Sequence, residues 1–211
     1  MSYSCGTPSV DHCYGTAETD FSNSSYEGAT GRIYVGHLGC NPCDGFIDDE
    51  MWLNDWTASY WVEAGYWLIY NNPNQTYFWA DYRPVDGQNN GSINVHVLGT
   101  VPPGDYGLSP TFTIKRASAS AFNVTISSPN HSWFGYSTNN SMSVGNVTMG
   151  SELAGTYGAS APSARFSYRY YWDSAGNYTA IDGNYYFHKS WPPYIYVVSG
   201  DPGQDFYTNC C

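Results

Sequence analysis

Positive charge is scarce in this sequence: Lys and Arg number 7 against 18 Asp and Glu, a net charge of -11 over 211 residues. Nucleic acid and anionic membrane are therefore not expected as partners, because both demand a cationic footprint. Charge of either sign is thin too, at 12%, about half the usual share. The carboxylate excess suits a protein working in acid, where fewer of those groups are ionised. No run of about eighteen apolar residues occurs, so no segment reads as a membrane-spanning helix. The start lacks a basic stretch followed by an apolar one, and Met1 reads as an initiator placed on a mature secreted chain. Helical periodicity is also missing. Glutamate is rare, and Glu18, Glu27, Glu50, Glu63 and Glu152 are all there are.

Aromatics are abundant, at 18% with 21 tyrosines. They alternate with β-branched residues in short runs punctuated by Gly, Pro, Asn and Ser. Strands are predicted over 31–37, 46–53, 59–70, 76–83, 92–98, 111–115, 121–127, 146–153, 163–171, 185–188 and 194–198. Turn signals such as Asp86-Gly87, Asn90-Gly91 and Asp182-Gly183 fall between them. The pattern predicts an all-β fold, a jelly-roll sandwich of two antiparallel sheets. One domain over 28–198 is expected, with residues 1–27 and 199–211 as irregular arms.

Six cysteines, Cys5, Cys13, Cys40, Cys43, Cys210 and Cys211, lie mostly near the chain ends. An even set so placed predicts disulfides formed in an oxidising compartment, with Cys40–Cys43 as a local bridge. Cys40-Asn41-Pro42-Cys43 also has the spacing of half a zinc site, with His12, Cys13 and His37 as further ligands. The secreted character favours disulfides, and neither a metal site nor a cofactor is assigned. Sequons begin at Asn23, Asn74, Asn90, Asn123, Asn130, Asn139, Asn146 and Asn177. They point to a secreted, extracellular glycoprotein.

Glu63 and Glu152 stand where strand patterns call for an apolar or small residue. An acid in such a run costs desolvation unless it is paired or faces a wet cleft. Strand parity puts Glu63 on one side with Trp61, Gly65 and Trp67, opposite Val62, Ala64, Tyr66 and Leu68. The same parity puts Glu152 with Asn146, Thr148 and Gly150. Gly65 and Gly150 leave room beside each acid for a ligand backbone. Tyr77, Trp79 and Asp81 are expected to join this groove, with Phe78 and Tyr82 packed inward. Trp61, Trp67, Tyr77, Trp79, Asp81 and Thr148 are thus the expected substrate-binding residues.

Trp61-Val62-Glu63-Ala64-Gly65-Tyr66 and Gly150-Ser151-Glu152-Leu153 resemble the two glutamate motifs of the neprosin family of glutamic peptidases. Tyr77-Phe78-Trp79-Ala80-Asp81 follows the first motif as an aromatic strand does in that family. The resemblance covers 60–169 and implies a concanavalin-like sandwich of two seven-stranded sheets with a Glu–Glu pair on one face. It also implies cleavage after proline. The more distant fungal glutamic peptidases pair Gln with Glu, whereas position 63 is Glu. Two features depart from neprosins: the first 27 residues are too short for an activation region, and Ser151 replaces a favoured glycine. The stretch Tyr60 to Tyr66 is also similar to secreted bacterial proteins of no assigned activity.

The implied chemistry is coherent. Two neighbouring carboxyls cannot both ionise cheaply, so one keeps its proton and the other does not. The ionised one activates water and the protonated one serves as acid. The same pair could hydrolyse a glycoside, and fold cannot choose between the two. Both acids could also be structural, bonded to tyrosines or to Arg83, Arg165 or Arg169. The reading is a secreted glutamic endopeptidase acting at acid pH, with Glu63 and Glu152 catalytic. The alternatives are a carbohydrate-binding lectin-like module and a non-catalytic extracellular structural subunit. Partners follow accordingly: a peptide or polysaccharide substrate, or another copy of the chain.

Overall fold

The computed structural model describes residues 12–19, 26–40, 45–55, 60–83, 92–138, 142–154, 159–160, 164–181, 185–189, 195–199 and 205–210. In chain order the strands are β1 (His12–Thr19), β2 (Tyr26–Ile33), β3 (Gly39–Cys40), β4 (Phe46–Asp55), β5 (Trp61–Ile69) and β6 (Thr76–Arg83). Next come β7 (Ser92–Thr100), β8 (Thr111–Ser118), β9 (Ala121–Ser127), β10 (Ser132–Thr138), β11 (Val144–Ala154) and β12 (Ala159–Ser160). The last are β13 (Ala164–Asp173), β14 (Tyr178–Ala180), β15 (Tyr185–Lys189), β16 (Ile195–Ser199) and β17 (Phe206–Cys210).

The ladders define an all-β antiparallel sandwich. One layer runs β7-β6-β5-β4-β11-β1-β15, and the other runs β10-β9-β8-β2-β13-β17-β16, with β14 also on β13. A single pairing, Val144 with Tyr26, joins the two layers into one hydrogen-bonded network. Period-two alternation decides the core. Ile47, Met51, Leu53, Val62 and Tyr66 of the first layer are buried with Ile33, Phe112, Ile114, Phe122 and Phe166 of the second. Burying such side chains from both inner faces supplies the main stabilisation.

A buried polar link also ties the layers together. The Asp49 carboxylate accepts hydrogen bonds from the Tyr66 hydroxyl and the Ser151 hydroxyl. Ser151 in turn shares a hydrogen bond with Thr208 of β17 at 2.6 Å, and the Tyr66 hydroxyl oxygen also lies 3.0 Å from the Tyr34 carbonyl oxygen. These donors offset part of the desolvation cost of the buried carboxylate.

Two of the irregular-arm expectations need correction. Residues 12–19 form β1, which pairs with β11, and 206–210 form β17, which pairs with β13 and β16. Each is flanked on both sides, β1 by β11 and β15 and β17 by β13 and β16, and such long-range pairing is not announced by a local pattern. Cys13 is disulfide-bonded. The expected Cys40–Cys43 bridge lies outside the described residues, as do Cys5 and Cys211, the turns at 86–87, 90–91 and 182–183, and the sequons at Asn23, Asn90 and Asn139. Asn146 is fully buried and donates to the Thr19 carbonyl at 2.8 Å, so its sequon is closed to glycosylation in the folded chain.

The facing of β6 is also corrected. Antiparallel partners share a face, and Glu63 lies opposite Ala80, with Gly65 opposite Phe78 and Trp61 opposite Tyr82. Phe78 and Tyr82 therefore sit on the side of Glu63, while Tyr77, Trp79 and Asp81 point between the layers. Trp79 packs over Gly135 of β10, where an added methyl would lie 2.4 Å from the indole nitrogen. Asp81 accepts from Ser137 at 2.5 Å and from Asn94 at 3.0 Å. Trp79→Ala is expected to cost about 3–5 kcal/mol, as deletion of a buried aromatic does. Urea denaturation of the variant checks this, and a loss below about 1 kcal/mol would contradict the inward facing.

Candidate active site

Four carboxyls converge on the outward face of the first layer. Period two along β4 puts Phe46, Asp48, Glu50, Trp52 and Asn54 on that face. Register then brings Asp48 opposite Glu152 on one side and Trp67 on the other. Glu50 lies between Gly150 and Gly65, and Trp52 lies between Thr148 and Glu63. Glu63 and Glu152 thus stand on β5 and β11, the two neighbours of β4. β1 completes the floor, with Tyr14 opposite Glu152.

The two glycines beside the acids have a different purpose from the expected one. A methyl at Gly65 would lie 2.5 Å from the Glu50 Cβ and 2.5 Å from the Asp49 carbonyl, and one at Gly150 would lie 2.2 Å from the Gly15 carbonyl. They make room for neighbouring strands and for the Glu50 side chain, not for a ligand. Gly65→Ala is expected to destabilise the fold by about 1–3 kcal/mol through overpacking. Thermal unfolding measures this, and an unchanged midpoint would contradict the close approach.

The face carries a cavity of about 590 Å³. Asp48, Glu63, Glu152, His12, Tyr14 and Glu18 line its acidic and polar side, with Asn54, Asn146 and Thr148. Trp52, Trp61, Trp67, Phe46, Phe78, Ile93 and Val95 line the aromatic and apolar side. Among the described residues no Lys or Arg lines it. Two of the three cations expected as structural partners are engaged elsewhere: Arg165 binds Asp205 with Nε at 2.8 Å, and Arg169 lies over the Phe206 ring, while the Arg83 side chain lies outside what is described. Of the predicted binding residues, Trp61, Trp67 and Thr148 line the cavity. Tyr77, Trp79 and Asp81 do not.

Donors are distributed unequally among the acids. His12 Nδ1 contacts Glu152 Oε1, and the Tyr14 hydroxyl bonds to the same carboxyl. The Trp52 indole donates to Glu63, and the Glu152 amide donates to Asp48 at 3.2 Å. Glu50 is fully buried against the other three carboxyls, and no N–H or hydroxyl reaches either of its oxygens. Burial raises the Glu63 carboxyl well above its usual range, and the charge of Glu152 raises it further. Glu50 and Asp48 are raised the same way, first by burial and then by their acidic neighbours.

Sequence reasoning missed Asp48, Glu50, Trp52, His12 and Tyr14. The signal for three of them was present: Phe46-Ile-Asp-Asp-Glu-Met-Trp places Asp48, Glu50 and Trp52 two apart on an expected strand. His12 and Tyr14 fell in the segment read as an arm. The zinc alternative finds its histidines otherwise occupied, with His12 on Glu152 and His37 stacked on Tyr106 at 4.2 Å.

No family model matches the chain, and no curated protein matches it in sequence. Solved structures do match. A scytalido-glutamic peptidase bound to a peptide-based transition-state analogue superposes with a TM-score of 0.71 at 12% identity, covering 94% of this chain and 98% of that one. The same peptidase with another transition-state analogue inhibitor gives 0.72 at 11% identity over the same shares. SCP-B, a member of the eqolisin family of peptidases in complex with the tripeptide Ala-Ile-His, gives 0.68 at 11% identity, also over 94% and 98%. At such identities the likeness establishes a shared fold across nearly the whole of both chains.

Proposed function

We propose that this protein is a glutamic endopeptidase that hydrolyses peptide bonds in acid with Glu63 and Glu152. The observation that carries the reading is convergence. Two acids singled out by sequence alone line one cavity, on a fold that glutamic peptidases share end to end. Of the roles weighed from sequence, only this one gains support from those comparisons.

The geometry suggests the division of labour. Glu152 is the carboxyl supplied with donors by His12 and Tyr14, and as a carboxylate it takes a proton from water. The water oxygen then bonds to the scissile carbonyl carbon. Glu63 keeps its proton to higher pH and gives it to the carbonyl oxygen, quenching the developing negative charge. Passing the proton held by Glu152 to the amide nitrogen breaks the C–N bond and returns that group to its starting state. Meanwhile the oxygen-bound proton goes back to Glu63 as the new carboxyl group forms. Glu50, in contact with both, provides a protonatable link between them. The wall of Trp61, Trp67 and Phe78 offers apolar surface to a proline ring, in keeping with the cleavage after proline that the neprosin resemblance implies. A secreted, disulfide-tied chain acting in an acidic extracellular setting completes the reading.

Incubating the purified protein with a proline-rich peptide between about pH 3 and pH 6, the range in which such carboxyl pairs titrate, tests this directly. Mass spectrometry should find products ending in proline. Intact substrate across that range would refute the proposal, and cleavage elsewhere would remove only the proline preference.

A further inference from the structure

Three carboxyls gather at the cavity, with Asp48 and Glu152 in its lining and Glu50 buried beside them. Asp48, Glu50 and Glu152 each offer an oxygen, and these oxygens lie within 4.8 Å of one another. Glu50 is fully buried, and only the carboxyls of Glu152, Asp48 and Glu63 reach it, with no N–H or hydroxyl group on either oxygen. A buried carboxyl met only by other carboxyls is costly to ionise unless a cation joins them. The nearby donors are already placed: His12 and Tyr14 on Glu152, Trp52 on Glu63, and the Glu152 amide on Asp48. No Lys or Arg among the described residues lines the cavity.

We propose that Asp48, Glu50 and Glu152 form a binding site for a hard divalent cation of the calcium class. All three ligands are carboxyl oxygens, the donor type that Ca²⁺ takes at 2.3–2.6 Å, so ligands on opposite sides of the ion lie about 4.6–5.2 Å apart. The observed spacing fits inside such a shell. Magnesium, at 2.0–2.1 Å with strict octahedral geometry, is served less well by three carboxyls and keeps most of its waters. Two of the ligands come from β4 and one from β11, in direct register, so the site is held by central strands and not by loops. The open side of the cavity leaves space for waters to complete six to eight ligands.

Glu152 belongs to both this site and the proposed catalytic pair. A bound cation would hold its carboxylate and block water activation, so calcium should inhibit hydrolysis. That consequence rests on the peptidase reading, whereas cation binding does not.

Terbium luminescence on the full chain, stripped with chelator and held at pH 7.5, tests the site without any substrate. Trp52 and Tyr14 lie beside the ligands and should sensitise bound Tb³⁺, giving saturable emission that Ca²⁺ displaces. Glu50→Gln should weaken Tb³⁺ binding at least tenfold, Asp48→Asn should do the same, and Asp173→Asn on the surface should leave it unchanged. Circular dichroism of each variant confirms that it is folded. Should Glu50→Gln fail to fold, Asp48→Asn carries the comparison. No saturable emission from the wild-type chain, or equal affinity in the folded ligand variants, overturns the site and leaves Glu50 satisfied by a proton. Binding without inhibition of an active enzyme overturns only the inhibitory consequence, while a chain that binds Tb³⁺ and cleaves nothing strikes at the peptidase reading alone.

Discussion

Glu63→Gln and Glu152→Gln are each expected to remove peptide hydrolysis almost completely, lowering kcat by about 10²–10⁴-fold. The double variant should be scarcely worse than either single one, because groups acting on one proton path fail together. Gln is close in size to Glu and keeps a hydrogen-bonding carbonyl, so the fold should survive. At position 63 the substitution removes the proposed proton donor, a carboxyl that burial and the charge of Glu152 raise well above its usual range. At position 152 it removes the proposed base and leaves His12 and Tyr14 facing an amide. Initial rates on a proline-rich peptide, with Asp173→Asn as a surface control, measure all of this. Additive losses, or a variant retaining a tenth of the activity, would show that these carboxyls do not work as a pair.

The legible parts of the fold were those where one face of a strand is apolar and the other is not. β5 is the clearest case: Val62, Ala64, Tyr66 and Leu68 face the core, and Trp61, Glu63 and Trp67 line the cavity, as alternation predicts. β6 failed because Thr76-Tyr77-Phe78-Trp79-Ala80-Asp81-Tyr82 is aromatic on both faces, so its facing comes only from pairing with β5. β10 inverts the usual pattern. Gly135 and Ser137 point inward to receive Trp79 and Asp81, while Phe134 is 73% exposed and Tyr136 53%. Such a strand reads as a loop until its partner is known. The site was half legible for a related reason. Single acids in apolar runs stand out, but Asp48-Asp49-Glu50 looks like a solvated acidic stretch. In the fold its members part company, with Asp48 lining the cavity, Glu50 buried on the same side of the strand and Asp49 between the layers.

That division makes stability depend on pH in a direction opposite to that of most salt-bridged proteins. Burial raises Asp49 from 3.8 to about 6, even though Ser151 and Tyr66 pull it back. Asp48, Glu50 and Glu63 are raised as well, by burial and by one another. A carboxyl whose folded pKa exceeds its unfolded value binds more protons in the folded state, so stability falls as pH rises. The contribution is whole below the unfolded value near 4 and is lost as pH passes through the folded one. For Asp49 alone the move from 3.8 to about 6 corresponds to about 3 kcal/mol over its whole titration, most of it between pH 4 and pH 7. Asp173 works the other way, since Asn177 holds its carboxyl below the usual range, but on the surface its effect is small. The net charge of -11 at pH 7 adds self-repulsion in the same direction as the buried acids. In chelator-containing buffer, Tm should therefore drop steadily from pH 4 to pH 7. Asp49→Asn, which keeps one acceptor oxygen, turns an NH2 toward the oxygen of the other hydroxyl and cannot ionise, should flatten the part of that slope between pH 4 and pH 6. A Tm that climbs over the range, or a slope that Asp49→Asn leaves untouched, would mean that the buried acids are not protonated more readily in the folded chain than in the unfolded one.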